Sequence, residues 1–419
     1  MRILLLLCLA VGLLTSCKKK KSDKIAERWL SSYTVDTLTP SSYDLRLSRS
    51  AESYMPDPAH PEYDPIRSIR MNFHYFYDAD GNYNYPVDEL KEANYYLRKF
   101  TTDKLRENKQ MNLPLGNETP VVRIPYTYVL TASEGYKKAD GVYRHLDDEL
   151  YYYVSRGRNK NNYSSDVIKK YAIGKDSILN VFIQPHHPDS MASSKYPGDQ
   201  VGIAMGTSLK VAGLYESGEP LWKFTGLFNH EVGHVLGLSH TWRSSDGCDD
   251  TPKHRNCWNF TKSGPCATEV SNNMMDYNAF QVALTPCQIG KILKNFGKLG
   301  GKQRSLLVPD WCDRDTTQTI TIYEDTEWRG AKDLNGDLII APGATLSLYA
   351  RLSIPKDGVI IIKDGGKLVL DHAQLHNSCG DLWQGIKIMG EQEEALLVLP
   401  ETTILNTVHP TTSAVAQKS

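Results

Sequence analysis

The sequence predicts a mixed α/β unit, a twisted sheet packed with helices and closed by an irregular C-terminal subdomain, followed by a small all-β unit. Three observations carry this. From about residue 66, strand-like and helix-like periodicities alternate. Four cysteines then crowd into a stretch with little periodicity between residues 248 and 287. After about residue 313 the chain breaks into short β-rich runs between Gly, Asp and Pro turns.

Each predicted element rests on its own pattern. Ile69 to Tyr77 alternates as a strand, and Val87 to Leu105 carries apolar residues at helical spacing. Val121 to Leu130, Ile178 to Ile183 and Gly202 to Gly206 are further strand candidates. The acidic run Asp78 to Asn82 invites an EF-hand reading, but its Gly81 stands at the fourth loop position instead of the sixth and no Glu closes the loop, so a plain turn is expected. Beyond residue 313, Asp337 to Ala344 and Gly358 to Gly366 recur at roughly 20 residues. That recurrence suits coils of a parallel β-solenoid and resembles the opening rungs of right-handed β-helix proteins; a small sandwich is the competing fold.

A chain of 419 residues is long for one domain. The expected division is a signal peptide over residues 1–16, a tether and wrapping N-terminal segment over 17–65, the α/β unit over 66–312 and the β-rich unit over 313–419. The first residues combine one early Arg with an apolar run too short to span a bilayer. Leu14-Thr15-Ser16-Cys17 resembles the bacterial lipobox, which makes Cys17 a lipid anchor and the protein an exported one, held to a bacterial membrane at its periplasmic face or at the cell surface. Lys18 to Lys21 read as a solvated tether. Lys and Arg total 48 against 49 Asp and Glu, so no global field points to a nucleic-acid partner.

Cysteine usage agrees with export. None lies between Cys17 and Cys248; then Cys248, Cys257, Cys266 and Cys287 crowd together, with Cys312 and Cys379 beyond. In an oxidising compartment such a cluster reads as disulfides, and the absence of any C-x-x-C pair argues against a zinc ribbon.

The chemistry concentrates in His230-Glu231-Val232-Gly233-His234-Val235-Leu236-Gly237-Leu238-Ser239-His240, an unbroken H-E-x-x-H-x-x-G-x-x-H. Residues four apart share one helix face, so His230 and His234 can converge on one ion. Gly237 supplies the conformational freedom that lets the chain leave the helix and bring His240 to the same ion. Three neutral imidazoles leave a position open for water on a single catalytic Zn2+, and Glu231 is placed to act as its general base. His74, His145, His186, His187 and His254 have no comparable spacing and read as structural or surface residues.

Downstream, Ser271-Asn272-Asn273-Met274-Met275-Asp276-Tyr277 resembles the Met-turn of the metzincins, with Met275 the turn methionine and Tyr277 able to donate to a forming oxyanion. Within that clan the chain resembles the pappalysin and cytophagalysin family across residues 66 to 300. The matching residues are His230 to His240, Thr241-Trp242, Asp250-Thr251-Pro252, the Met-turn string and Leu284-Thr285-Pro286-Cys287-Gln288. The resemblance implies a metzincin catalytic fold, endopeptidase action on protein or peptide substrates, one zinc, and a structural Ca2+ with Asp250 as its ligand. By order in the family it also implies disulfides Cys248 with Cys266 and Cys257 with Cys287.

Two departures limit what is carried over. Relatives that prefer Arg or Lys after the scissile bond have an acidic residue soon after the Met-turn, whereas Asn278 to Thr285 contain none; Ala279 to Leu284 suggest an apolar pocket instead. With no Cys between Cys17 and Cys248, a cysteine switch in the mature chain is excluded. Two other functions compete with the endopeptidase: a cell-surface binding protein with an inert protease-like domain, whose usual mark is loss of Glu231 or a ligand His, and a zinc hydrolase of a small amide or peptidoglycan bond. An extended cleft beside an edge strand at Gly202 to Gly206 would favour long peptides through β-augmentation, a closed pocket the small substrate.

Overall fold

The computed structural model describes residues 26–415 except 83, 132–139, 158, 175, 189–199, 217 and 243–244. The expected signal peptide, Cys17 and the lysine run lie outside the described residues.

The described chain opens with two short strands, β1 (Glu27–Trp29) and β2 (Ser32–Val35), and then builds a six-stranded mixed sheet. Its centre is β3 (Arg67–Tyr77), whose Ile69, Met71, Phe73 and Tyr75 point into one core while Phe76 packs into a smaller cluster with Tyr151, Val167, Ile168 and Phe182. Being covered on both faces, β3 reads as a nearly continuous apolar run. One edge of β3 pairs in parallel with β4 (Tyr126–Leu130) along its first half and β5 (Val142–Leu146) along its second. Its other edge pairs with β6 (Leu179–Ile183), also in parallel.

The strand expected from Val121 begins only at Tyr126, because Pro125 has no N–H to give the ladder; its carbonyl instead takes the Arg67 N–H at 2.9 Å. Beyond β6 the sheet ends in β7 (Val201–Met205), antiparallel to β8 (Ser208–Ala212), so β7 is the edge strand. The sequence reading missed β5 and β8, whose Arg144, His145 and Lys210 break the apolar pattern.

Two helices cover one face of this sheet. The helix Leu90–Arg106 buries Leu90, Ala93, Leu97, Thr101 and Leu105, spaced three to four apart. The helix Thr225–Val235 buries Phe228, Val232 and Val235 in the same core.

Beyond residue 318 all the strands belong to β-rich sheets. β9 (Ile320–Ile322), β12 (Leu338–Ile340), β15 (Val359–Ile362) and β18 (Gly385–Met389) pair in parallel, each with the next. So do β10 (Thr326–Trp328), β13 (Thr345–Leu348), β16 (Lys367–Leu370) and β19 (Leu396–Val398). β11 (Lys332–Asp333), β14 (Arg351–Ser353), β17 (Gln374–His376) and β20 (Thr403–Ile404) form a third such series. Aliphatic residues face their counterparts one turn on, Ile320 to Leu338 to Ile360 to Ile386 and Leu352 to Leu375 to Ile404, and fill a second core.

The N-terminal segment departs from the expected tether. β1 closes the edge of β18 in antiparallel fashion, and β2 lies between β19 and β21 (Thr412–Val415). Leu30, between the two strands, enters the second core. The two cores meet at a buried charged cluster: Asp333 accepts from Arg304 Nη2 at 3.0 Å and Arg351 Nη1 at 2.6 Å, and the Arg304 guanidinium lies over the Trp311 ring at 4.2 Å. A disulfide, Cys312–Cys379, crosses the same junction.

Candidate metal centre

The H-E-x-x-H sequence forms the last two turns of the helix Thr225–Val235. It ends in a two-bond lock: the Leu238 N–H reaches Gly233 O at 2.9 Å and the Gly237 N–H reaches His234 O at 3.0 Å. This is the Schellman arrangement, which needs a left-handed residue at Gly237, and Gly237 has φ +99°. Asn295 Nδ2 caps the Leu236 carbonyl at 2.8 Å. The turn brings His240 back toward the helix.

All three imidazoles converge. Nε2 of His234 lies 3.2 Å from Nε2 of His230 and 3.1 Å from Nε2 of His240, and the third side of the triangle is 3.2 Å. The opposite ring nitrogens are anchored: His230 Nδ1 donates to Met274 O and His234 Nδ1 to Leu238 O, both at 2.9 Å. Spending the Nδ1 proton on a carbonyl leaves the Nε2 lone pair facing inward, the tautomer a metal needs. Burial pushes His230 down to about 3 and lowers His234, so both stay neutral at physiological pH. These three histidines could hold one metal ion.

Glu231 is buried beside them, under β7. A Cβ added at Gly202 would stand 2.6 Å from Glu231 Cγ, so the strand passes over the carboxylate only because residue 202 is Gly. Burial pushes the Glu231 carboxyl up to about 7, opposed by the Ala204 backbone hydrogen bond.

Met275 is fully buried against the helix at Gly233, where a Cβ would run into its sulfur. The next residue, Asp276, ties the ligand-bearing segments together. It accepts from the Thr241 N–H at 3.0 Å, from Ser271 Oγ at 2.6 Å and from His254 Nε2 at 2.9 Å. Burial works to raise its pKa, but the bonds from His254, Ser271 and Thr241 outweigh that and hold the carboxyl below its ordinary range. Burial opposes the charge on His254 too, yet the bond to Asp276 raises its pKa. Thr241 follows His240 directly, so this clamp fixes where the third imidazole stands.

Tyr277 is exposed, its ring 4.7 Å from the His240 ring and 5.7 Å from that of His230. Trp242 stacks on the far side of His240 at 5.9 Å. Gln281 reaches back, its Nε2 donating to Asp276 O at 3.0 Å and lying 3.4 Å from His230 Nδ1.

Residues 162–296, which contain every group just described, match the Peptidase_M43 family model, pregnancy-associated plasma protein-A. This segment is pappalysin-type. Among solved structures, mature mirolysin of Tannerella forsythia in complex with a cleaved peptide is 18% identical, with TM-score 0.42, covering 58% of this chain and 96% of that one. Mirolysin in complex with compound 9 is 17% identical, with TM-score 0.40, covering 58% and 97%. No curated protein matches the chain.

Within the pappalysin segment the disulfides correct the expected pairing. Cys248 joins Cys287 and Cys257 joins Cys266, with Cα separations of 5.7 and 5.5 Å. Packing of the helix Pro286–Gly297 decides this. Asp250 accepts from Thr285 Oγ1 at 2.8 Å and from the Cys287 N–H at 3.1 Å, which seats the helix start on the Asp246 to Asp250 loop and brings Cys287 to Cys248. Cys257 and Cys266 then close a short ring of their own.

The same bonds bear on the calcium expectation for Asp250. Among the described residues, the one group of ligating side chains that contains it is Cys248, Asp250 and Cys287, whose two sulfurs are spent in a disulfide. A hard cation asks for several charged oxygens, which this group lacks. The geometry makes Asp250 a helix cap.

The sequence reading did not assign Gly202, Gln281 or His254 to the site. Only Gly202 carried a signal, as the start of a suspected edge strand. His254 and Gln281 act through segments that meet only in the folded chain.

Proposed function

We propose that this protein is an exported zinc metalloendopeptidase. One observation carries the reading: three imidazole Nε2 atoms stand 3.1–3.2 Å apart, with a buried carboxylate beside them under an exposed edge strand. Ligand atoms around tetrahedral zinc with bonds of about 2.0–2.1 Å are separated by about 3.4 Å, close to this triangle, and neutral imidazole is a preferred zinc donor. When bound, zinc polarises the scissile carbonyl and acidifies a water toward a pKa of about 7.

Glu231 takes the proton released as water attacks and passes it to the leaving amine. A carboxyl pushed up to about 7 both accepts and returns a proton readily at neutral pH, which suits that task. Tyr277 donates a hydrogen bond to the oxygen that gains charge; its exposed position beside His240 and His230 supports this. Met275 supports the helix from below.

The edge strand β7 favours an extended peptide over a small amide or peptidoglycan bond, because among the described residues no strand pairs with its outer edge and its backbone can bind a substrate main chain. The inert binding-protein alternative loses support because Glu231 and all three histidines are retained in a converging geometry.

In this reading residues 66–312 form the catalytic domain and 313–419 a parallel β-solenoid, a reading supported by three series of strands that pair in parallel, coil upon coil. Cys17 carries a lipid anchor that keeps the enzyme on the membrane. A peptide-library digest with and without a zinc chelator tests the central claim. Internal cleavage abolished by the chelator and restored by zinc is expected; a purified protein with no stoichiometric zinc and no cleavage removes it. For the anchor, Cys17→Ser should shift the protein from the membrane to the soluble fraction, and retention in the membrane would refute the lipobox.

A further inference from the structure

The segment after Tyr277 leaves the metal histidines and returns to them within a few residues. It begins at the His240 ring and ends at Gln281, which is hydrogen-bonded to Asp276 O beside His230. Its course is fixed internally, since Asn278 Oδ1 takes the N–H groups of Phe280 and Gln281 at 2.8 and 2.7 Å. On this segment Phe280 is 40% exposed.

A second loop stands against it. Cys257 and Cys266 close a ring containing Trp258 and Phe260, which are 61% and 54% exposed. The ring is braced by the Thr261 N–H to Cys266 O at 3.0 Å and joined to the first segment by the Ala279 N–H to Trp258 O, also 3.0 Å. The Phe260 and Phe280 rings lie 6.0 Å apart. Three large apolar rings thus face solvent on backbone that is already ordered.

Apolar rings left in water on loops held by a disulfide and hydrogen bonds are the signature of a surface that gains by covering. Because the loops are ordered beforehand, little conformational entropy is lost when a ligand arrives. No acidic or basic residue occurs from Asn278 to Thr285, so nothing in that segment recommends a charged ligand. Continuity with the metal histidines names the occupant: a polypeptide lying across the site passes this patch within about three residues of the cleaved bond, at about 3.3 Å per residue.

We infer that Trp258, Phe260 and Phe280 form a substrate subsite for a large apolar, preferably aromatic, side chain near the scissile bond, on a platform made by the Cys257–Cys266 ring and the Tyr277–Gln281 segment. This rests on the endopeptidase reading and adds its substrate class.

The test compares the full chain with Phe260→Ala, Phe280→Ala and Trp258→Ala on peptides that differ only by Phe or Ala at each position flanking the cut. In the unaltered protein one position should favour Phe by about tenfold or more in kcat/KM, and that ratio should fall toward one in the variants. Cleavage with no such ratio, or a ratio the variants leave untouched, overturns the subsite. Binding of the same fluorescent peptides to Glu231→Ala, read by anisotropy, separates this from the parent reading. If the unaltered protein cuts nothing yet binds the Phe peptide about tenfold tighter, and adding Phe280→Ala abolishes the difference, the subsite stands and the protease assignment falls. Equal binding of the two peptides overturns the subsite.

Discussion

Glu231 shows how much a single side chain owes to its roof. The β7 backbone at Gly202 excludes water from one side of the carboxyl, and the burial that results is the first cause of its raised pKa. Glu231→Ala is expected to retain zinc, since none of the three imidazoles is touched, and to lose about 10²- to 10⁴-fold in kcat. Metal content and turnover measured on the same sample check this, and turnover within tenfold of the unaltered protein would reassign the base. Tyr277→Phe removes one donor to the oxyanion, so the loss, about 10²-fold, should fall on kcat and leave KM nearly constant. A change confined to KM would make Tyr277 a binding residue. The ligand residues and Glu231 were legible because their spacing is a local property of one helix and its exit. Gly202, His254 and Gln281 were not, because each acts on a segment at least 14 residues away in the chain.

The element that organises the site is the helix Thr225–Val235 packed on the Met-turn. Met275 meets that helix at Gly233, with no room for a side chain between them. Gly233→Ala should therefore push the methionine and the helix apart, at a cost of about 1–3 kcal/mol for overpacking. Chemical unfolding with a reporter of zinc affinity measures both consequences; unchanged stability and affinity would mean that the sulfur moves aside freely. The Met-turn is tied to the next helix as well. Thr285 and Gln288 form a capping box, and Gln288 Nε2 also donates to Asn273 Oδ1 at 3.2 Å. Thr285→Ala removes the cap and a donor to Asp250, so about 1 kcal/mol or more of stability should be lost in the same assay. The Cys248–Cys287 pairing follows from this seating of the helix, a tertiary fact that order in the chain does not encode.

At the scale of the molecule, the cluster at the junction of the two cores sets their relation. Burial alone would raise the pKa of Asp333, but Arg351 and Arg304 outweigh it and hold the carboxyl at about 2. The folded value lies below the ordinary 3.8, so the stabilisation is complete above about pH 4 and lost as pH falls through about 2. Asp333→Ala leaves two buried guanidinium groups without their carboxylate, at an expected cost of about 3–5 kcal/mol at neutral pH, and removes this acid-dependent step. Urea unfolding at pH 7 and pH 3 checks both; equal stability loss at the two pH values would show that Asp333 does not carry the effect. The sequence by itself determined the metal ligands, the general base, the mixed α/β character around them and the β-rich texture after residue 313, because each is written in spacing along one stretch of chain. Only the tertiary structure decided which cysteines meet, what covers Glu231, and that Glu27–Trp29 and Ser32–Val35 complete sheets whose other strands lie more than 350 residues later. Those contacts join segments with no shared periodicity, and they form because burying apolar surface and satisfying open strand edges reward proximity in space whatever the distance along the chain.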